Sequence, residues 1–246
     1  MRRKISILLL CSMLFSIPVF ADSGWVDWNY DSFTPFTRGV SIVESEVNGK
    51  PKYGLVNASG KEITPIKYDS IEECYDDVLV VGIGEKGNKK FGILGRDGKE
   101  LTKIKYDDIG FISENTISVV IGKKHGYIDK SGKEIIPLKY EYAYGFVNDV
   151  SFVKLNGKYG AINKKGEIVI PFKYDGYNDT LDNLAVVKFK DKWGAIDVRN
   201  GKTIIPFEYD DITLPYNSDE IILGRMHNNG WQAHIIKNPL LKKEDV

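Results

Sequence analysis

Residues 192–212, KWGAIDVRNGKTIIPFEYDDI, contain the pattern that decides the fold. Two stretches rich in isoleucine, valine, phenylalanine and tyrosine lie on either side of Asn200-Gly201, a pair that tolerates the positive φ of a tight hairpin. No sustained apolar period of 3.6 residues is present, so helices are not expected. Together with the apolar stretch before them, they predict three strands, A (Leu184–Phe189), B (Trp193–Val198) and C (Lys202–Ile212), with B and C paired as an antiparallel hairpin.

The same pattern occurs five times, over residues 49–71, 88–109, 122–143, 156–177 and 191–212. The glycines of stretch B lie 38, 34, 34 and 34 residues apart, and they are Gly54, Gly92, Gly126, Gly160 and Gly194. A repeat of this length is typical of supersecondary units that stack or are arranged radially. Partial copies precede and follow the five units, at residues 25–47 and 220–236.

Stretch C contains a proline in four of the five units, and the second unit has Lys103 instead; the prolines are Pro65, Pro137, Pro171 and Pro206. Proline cannot donate a ladder hydrogen bond, so it marks a bend or an edge position, and stretch C can form two short strands. A tight meander of three strands would make successive units run in opposite directions. Four strands per unit, or a connector long enough to recross the sheet, would make the units equivalent.

The two ends of the repeat region bear on the architecture. Residues 28–33, WNYDSF, resemble the end of a C stretch, and residues 220–236 resemble A and B with no C after them. The chain therefore reads as six units that begin at C and end at B. We expect an all-β array of about six units of three to four short antiparallel strands, β-propeller-like, with the N- and C-terminal strands closing the ring. An open β-meander or solenoid is the alternative.

An aromatic-glycine pair preceded by lysine opens stretch B in four units, at Tyr53-Gly54, Phe91-Gly92, Tyr159-Gly160 and Trp193-Gly194. With the downstream glycine turn, the Ile-Pro pair and the Lys-Tyr-Asp ending, this pattern resembles the WG repeat (KWG type) of bacterial proteins over about residues 49–212. The third unit departs from it, because His125 precedes Gly126 and the aromatic residue moves to Tyr127. The resemblance implies a β-repeat fold and no particular reaction.

The N-terminus has the layout of a secretory signal peptide. Three basic residues, Arg2-Arg3-Lys4, precede an apolar run that ends at Phe20, and Val19 and Ala21 fit the small-residue pattern of a cleavage site. We predict a signal peptide over residues 1–21, a single repeat domain over 22–236 and a charged tail over 237–246. A retained membrane anchor is the alternative, and a lipoprotein signal at Cys11 is disfavoured because a bulky leucine precedes it.

Composition limits the classes of partner. Lysine plus arginine and aspartate plus glutamate number 34 each, so no excess charge indicates binding to nucleic acid or to an anionic membrane. After cleavage Cys74 is the only cysteine, which excludes an intrachain disulfide, and we assign it no catalytic role. We expect a monomer that is periplasmic or extracellular and is not inserted in the membrane after cleavage.

The sequence predicts no catalytic residues, metal site or cofactor. An acidic residue follows the tyrosine of stretch C in every unit, at Asp69, Asp107, Glu141, Asp175 and Asp210, where it can accept backbone N–H bonds from the next connector. The three histidines, His125, His227 and His234, are expected on the surface, and the last two give only a weak metal signal. No motif of a known nucleophile or phosphate-binding loop is present.

The connectors between C and the next A vary among units, and binding residues concentrate in such loops. They are acidic and aromatic, and their rings are expected to be exposed and to bind a ligand: Tyr75, Phe111, Tyr144, Tyr177 and Tyr216. The A–B turns carry lysines, so an acidic aromatic face and a basic face are expected. The sequence predicts a non-catalytic module that binds a protein or a cell-envelope glycan. A carbohydrate-binding module and an envelope enzyme are the alternatives.

Overall fold

The computed structural model describes residues 29–73, 78–215, 219–228 and 230–240. The predicted signal peptide, and Cys74 and Tyr75, lie outside these ranges. All regular structure within them is β-strand, and they contain no helix. The strands form six antiparallel sheets of three or four strands. The prediction of an all-β array of six units is confirmed at this level.

The chain divides into two compact units, Met1–Ile104 and Lys105–Val246. The first unit contains two sheets. Sheet 1 consists of β1 (Ser32–Phe33), β2 (Val40–Val47), β3 (Lys50–Asn57) and β4 (Glu62–Tyr68). Sheet 2 consists of β5 (Ser70–Glu73), β6 (Val78–Ile83) and β7 (Lys90–Gly95).

The second compact unit contains four sheets. Sheet 3 consists of β8 (Asp108–Ser113), β9 (Thr116–Ile121), β10 (Lys124–Asp129) and β11 (Glu134–Tyr140). Sheet 4 consists of β12 (Tyr142–Ala143), β13 (Val150–Leu155), β14 (Lys158–Asn163) and β15 (Ile168–Tyr174). Sheet 5 consists of β16 (Gly176–Leu181), β17 (Leu184–Phe189), β18 (Lys192–Asp197) and β19 (Thr203–Tyr209). Sheet 6 consists of β20 (Asp211–Thr213), β21 (Glu220–His227) and β22 (Gly230–Lys237).

Stretch C divides into two strands that belong to different sheets. In the fifth repeat, β19 is the last strand of sheet 5, and β20, two residues later, is the first strand of sheet 6. Each four-stranded sheet thus takes its first strand from the preceding repeat and its other three from stretches A, B and C. This arrangement confirms that four strands make the units equivalent, and it confirms the B–C hairpins, whose strands pair antiparallel.

A single acidic residue joins each sheet to the next, except between sheets 2 and 3, where residues 96–107 lie between β7 and β8. Asp69 lies between β4 and β5, where one of its oxygens accepts the Gly84 N–H at 2.9 Å and the other binds the Lys52 ammonium at 2.5 Å. These two contacts, the lysine first, hold the pKa of the Asp69 carboxyl below its usual value. The predicted acceptor role is confirmed, but the N–H belongs to the next A–B turn, not to the connector. The same N–H contact recurs at Asp107, Glu141, Asp175 and Asp210.

The glycine of stretch B lies opposite a β-bulge in stretch C. In sheet 3, His125 pairs with Tyr140 and Tyr127 pairs with Ile136, so three residues of β11 lie opposite Gly126 alone. A Cβ on Gly126 would be 2.7 Å from the Ile136 carbonyl oxygen. The bulge contains Pro137, on the last strand of its sheet, as the bend-or-edge prediction requires.

The second repeat departs from this pattern at Lys103, which stands at the proline position. Residues 101–105 form no strand there, and isolated bridge positions at Glu100, paired with Leu94, and at Tyr106 replace the hairpin ladder. Thr102 still accepts the Ile93 N–H, as Thr64 accepts the Leu55 N–H in the first repeat. Sheet 2 therefore has three strands.

The core lies mainly along the A strands and the tyrosines of stretch C. Leu184, Ala185, Val186 and Val187 of β17 are all fully buried, since both faces of the strand are covered. This explains why stretch A reads as a continuous apolar run and not as an alternating one. The tyrosine that ends stretch C is buried in the first four repeats, at Tyr68, Tyr106, Tyr140 and Tyr174.

Each of these four tyrosines has the ammonium group of the preceding lysine over its ring, at 5.0 to 5.2 Å from the centroid. In the fifth repeat the lysine is replaced by Glu208, and the Arg225 guanidinium lies 4.8 Å from the Tyr209 ring instead. Arg225 also pairs with the Glu208 carboxylate at 2.5 Å. The cation over the ring is therefore retained although its position in the sequence has changed.

Candidate binding site

Each sheet has two chemically different ends. Because consecutive strands pair antiparallel, the A–B turn lies at one end, and the connector and the B–C turn lie at the other. The connector end is not purely acidic, since lysines of the B–C turns share it. Lys164 binds Asp149 at 2.6 Å and Glu114 at 3.0 Å, so two connector carboxylates are already paired.

The structure brings two of the predicted binding residues together. Tyr144 and Tyr177 are in edge contact, with centroids 4.5 Å apart, and Tyr177 stacks on Phe152 at 4.3 Å. Both tyrosines are half-buried, so the expectation of exposed rings is wrong for this pair. Burial raises the pKa of the Tyr177 hydroxyl, and that of Tyr144 to about 12. Of the other predicted residues, Tyr75 and Tyr216 lie outside the described ranges, and only the backbone of Phe111, in β8, is described.

Two further rings extend this contact, and sequence reasoning missed their role. His125 lies against Tyr142, with centroids 5.1 Å apart and planes at 39°. Tyr142 in turn lies against Tyr144, with ring centroids 4.8 Å apart and ring planes at 58°. Tyr142 is 45% exposed. His125, Tyr142, Tyr144, Tyr177 and Phe152 thus form a continuous row of rings over sheets 3, 4 and 5, which we call the aromatic row.

The departure of the third repeat creates one end of this row. Gly126 separates His125, which takes the ring position of the other repeats, from Tyr127, which takes the core position of Leu55 in the first repeat. Tyr127 is fully buried and donates to the Tyr144 carbonyl at 2.7 Å or to Ser151 at 2.6 Å. Its ring also packs edge-on against Phe146 at 4.9 Å. Moving the aromatic residue therefore places a tyrosine in the core and leaves a histidine facing outward.

A cavity of about 310 Å³ lies beside His125 and Tyr142. Its walls come from β8, β9 and β10 of sheet 3, from β12 of sheet 4 and from the connector that follows β12. Two of its lining residues, Gly110 and Gly145, are glycines, and the others are Asp108, Ser118, Val120, His125, Tyr142, Ala143 and Tyr144. This volume is at the small end for ligand sites and suits one side chain or a small molecule.

The polar groups of this cavity are a carboxylate and an imidazole. Burial lowers the pKa of His125, and the Asp108 charge raises it by a smaller amount, so the ring is neutral at neutral pH. His125 is half-buried, which corrects the expectation of a surface histidine at this position. The exposed Asp108 carboxylate accepts the Ile109 N–H at 3.0 Å, and among the described residues it forms no ion pair.

His227 and His234 are exposed, as expected, and line a second cavity of about 520 Å³ with Arg225 and Gln232. Within the described ranges, no three His, Cys, Asp or Glu side chains cluster in a way that could hold a metal ion. In the same part of the chain, no helix has the length and apolarity needed to cross a bilayer.

A family model described as "WG containing repeat" matches residues 53–86, 91–124, 126–159, 159–193 and 193–219. The chain belongs to the WG-repeat family. Three rings of the aromatic row, Tyr142, Tyr144 and Phe152, lie in the matched segment 126–159, Tyr177 lies in 159–193, and His125 falls between the segments 91–124 and 126–159. No curated protein matches this WG-repeat chain in sequence.

Several solved structures resemble the WG-repeat chain at low identity. Hsv2 of Kluyveromyces lactis is 11% identical with a TM-score of 0.45, over 85% of this chain and 76% of that one. The extracellular domain of a putative one component system, BT4673 from B. thetaiotaomicron, is 10% identical with a TM-score of 0.37. The match covers 89% of this chain and 36% of that chain. The tricorn protease is 13% identical with a TM-score of 0.37, and the WG-repeat chain spans 86% of its own length but a quarter (25%) of the protease chain.

Proposed function

We propose that this protein is a non-catalytic, exported module that binds a protein partner at the cell envelope. The observation that carries the proposal is the cavity beside the aromatic row, where residues that do not recur in the repeat, His125 and Tyr142, meet an exposed carboxylate. The recurring acids, in contrast, are used to join neighbouring sheets. Recognition is therefore assigned to the place where the repeat pattern is broken.

The geometry of the cavity favours binding over catalysis. A serine nucleophile needs a base within hydrogen-bond reach. Ser118 and His125 both line the cavity, yet no hydrogen bond joins them. The two lining tyrosines, Tyr142 and Tyr144, contribute their rings to the cavity wall.

The tilt of the rings favours a protein over a glycan. A sugar ring stacks on a flat exposed aromatic surface, whereas Tyr142 is tilted by 39° from His125 and by 58° from Tyr144. The three rings therefore do not share one plane, and they line the same cavity, whose wall we call the cup. A single side chain of a partner protein fits such a cup and the cavity volume beside it.

The binding proposal is tested by affinity capture. The chain from Asp22 to Val246 is immobilised and exposed to cell-envelope extract, in parallel with a Tyr142→Ala/Tyr144→Ala variant and a Trp231→Ala control. Trp231 is 59% exposed in sheet 6, so it matches the removal of an exposed ring elsewhere. We expect the same partner on the unchanged chain and on the control, identified by mass spectrometry, and its loss from the double variant while far-UV circular dichroism shows that this variant is folded. Equal capture by all three chains, or capture of cell-wall glycan alone, contradicts the proposal.

We further propose that the repeats close into a propeller-like ring, with residues 22–28 supplying the fourth strand of sheet 6. The support comes from both sides of the junction. Tyr30-Asp31 repeats the tyrosine-acid pair of stretch C, and Asp31 accepts the Glu46 N–H at 2.7 Å as Asp69 accepts the Gly84 N–H. On the other side, β22 is the last strand of a three-stranded sheet within the described residues.

The bulge-forming residues are absent from both proposed partners. Gln232 stands in β22 where the other B strands have glycine, and Asp27 stands where stretch C has proline. A regular antiparallel pair needs neither residue. The closing pair is therefore expected to lack the bulge seen in sheets 3 to 5.

Closure is tested by amide hydrogen exchange on β22. We compare the chain that begins at Asp22 with one that begins at Asn29. If residues 22–28 pair with β22, alternate amides of this strand lose protection in the shorter chain, while β17 amides stay protected. Identical exchange of β22 in the two chains would show that the ring does not close in this way.

A further inference from the structure

One cross-strand row has corresponding members in every sheet. It consists of one residue each from the first strand, the A strand and the B strand. In sheet 4 these residues are Tyr142, Lys154 and Tyr159, and the Lys154 ammonium lies 5.3 Å from the centre of the Tyr159 ring. In sheet 5 they are Gly176, Lys188 and Trp193, so a lysine again lies beside an aromatic residue.

Sheet 2 places a lysine in the same row by another route. Its members are Ser70, Gly82 and Phe91, none of which is basic. The Lys89 side chain crosses over Gly82, with its Cδ 2.9 Å from where a Cβ would be, and its ammonium donates to Ser70 Oγ at 3.3 Å. Three sheets thus place a lysine of this chain next to a ring.

The remaining rows of this kind are filled differently. In sheet 6 the Trp231 ring lies 3.2 Å from where a Cβ on Gly224 would be, which covers that position. In sheet 1 the Glu44 carboxylate is engaged by the Ser32 hydroxyl at 2.9 Å. Neither row leaves both an open cavity and an exposed acid beside it.

Sheet 3 has an acid in this row and no lysine. Its members are Asp108, Val120 and His125, and the cavity of about 310 Å³ lies over them. Val120 stands at the position of Lys154, and no lining residue of the cavity is basic apart from the neutral imidazole. The cup therefore combines a carboxylate, two tyrosine rings and a neutral nitrogen, and among the described residues that line it there is no lysine or arginine.

We propose that this cavity binds an ammonium or guanidinium group, as carried by a lysine or arginine side chain of a protein partner. The inference rests on the proposed function and names the chemistry that its site recognises. The Asp108 carboxylate supplies the charge, and the rings of Tyr142 and Tyr144 supply their negative faces. The incoming cation occupies the place that Lys154 and Lys188 fill in the next two sheets.

The test is an NMR and calorimetric titration of the chain from Asp22 to Val246. The probes are acetyl-Gly-Lys-Gly-amide, acetyl-Gly-Arg-Gly-amide, the neutral acetyl-Gly-Gln-Gly-amide and butylammonium. We expect both basic peptides to bind with shifts in the His125 and Tyr142 resonances, and the glutamine peptide to bind at least about tenfold more weakly, or ~1.4 kcal/mol. Butylammonium binding equal to that of the lysine peptide would indicate a free amine as the source, and tighter peptide binding would indicate a protein side chain.

Three variants complete the test. Asp108→Asn, at an exposed carboxylate, is expected to lose binding by about tenfold or more with an unchanged thermal midpoint. Asp211→Asn, at the same row position of sheet 6, should bind like the unchanged chain. Val120→Lys installs the lysine of sheet 4 and should abolish binding. Full binding by Asp108→Asn, or equal binding of the glutamine peptide, overturns the inference.

The two proposals fail in different ways. If the Tyr142→Ala/Tyr144→Ala variant loses a protein partner that Asp108→Asn still captures, the proposed recognition site is supported and the proposal of a cationic ligand is refuted. If the basic peptides bind in an Asp108-dependent way but the capture of no protein partner depends on the two tyrosines, the cation site is supported and the proposed interaction module is refuted.

Discussion

Replacing Tyr174 with alanine is expected to lower the free energy of unfolding by about 3–5 kcal/mol. Tyr174 is 2% exposed in the core between β15 and β17. The centroid of its ring lies 6.1 Å from that of Phe189 and 6.0 Å from that of Phe207. Alanine would leave a cavity in place of the ring and remove the surface on which the Lys173 ammonium lies. Urea denaturation followed by far-UV circular dichroism measures the change.

Two matched variants separate ring loss from other effects. Tyr174→Phe keeps the ring and removes only the hydroxyl, which makes no hydrogen bond to another described residue, so it should cost less than about 1 kcal/mol. Tyr142→Ala removes an exposed ring and should change stability by no more than about 0.5 kcal/mol. A Tyr174→Ala chain as stable as the Tyr142→Ala chain would refute the assignment of this tyrosine to the core.

Gly126→Ala is expected to destabilise the protein by roughly 1–3 kcal/mol, because the new methyl group meets backbone atoms. Its Cβ would be 2.7 Å from the Ile136 oxygen and 2.8 Å from the Leu138 nitrogen, and neither can move without opening the bulge. Gly92→Ala is the control, since its nearest contacts, to Lys103 O and Ile104 Cγ1, are 3.1 Å. The same denaturation experiment should give a smaller loss for Gly92→Ala, and the reverse order would contradict the role of the bulge.

Much of the fold could be predicted from the sequence, because strand pattern and turn chemistry are local. Stretch A of the fifth repeat is β17, residue for residue, and the glycine between B and C has positive φ in all five units, at Gly60, Gly98, Gly132, Gly166 and Gly201. The second half of stretch C pairs with the A strand that follows it in the chain, as β20 pairs with β21, and so leaves the sheet that the first half completes. No residue within that second strand specifies which sheet it joins, so the sequence alone does not predict its sheet.

The irregular second repeat also shows the limit of prediction from a repeat alignment. The change of proline to lysine at position 103 accompanies the loss of a regular strand. In the same repeat Gly95 replaces the Asn or Asp that caps the B–C turn elsewhere, and Asp97 caps it instead by accepting the Lys99 N–H at 3.0 Å. A Cβ at Gly95 would be 2.5 Å from that Asp97 oxygen, so the two substitutions depend on each other.

The candidate site was only partly predictable, because its signal is a set of single departures. The connectors indicated Tyr144 and Tyr177, but not that these rings pack on each other. Asp108, Val120 and Tyr142 are unremarkable in sequence and become informative when each is compared with the residue at the same row position of another sheet. That comparison requires the register of the strands, which the sequence does not contain.

The one-residue junctions at Asp69, Asp175 and Asp210 have a consequence for how such proteins change in length. Each sheet is assembled from two repeats, so the boundary of the sequence period and the boundary of the sheet are offset by one strand. A recombination event that adds or removes one period of 34 residues therefore adds or removes one whole sheet, wherever in the period it occurs. The acid and the lysine that join the sheets are restored at the new junction, so the number of repeats can vary during evolution without a newly designed interface.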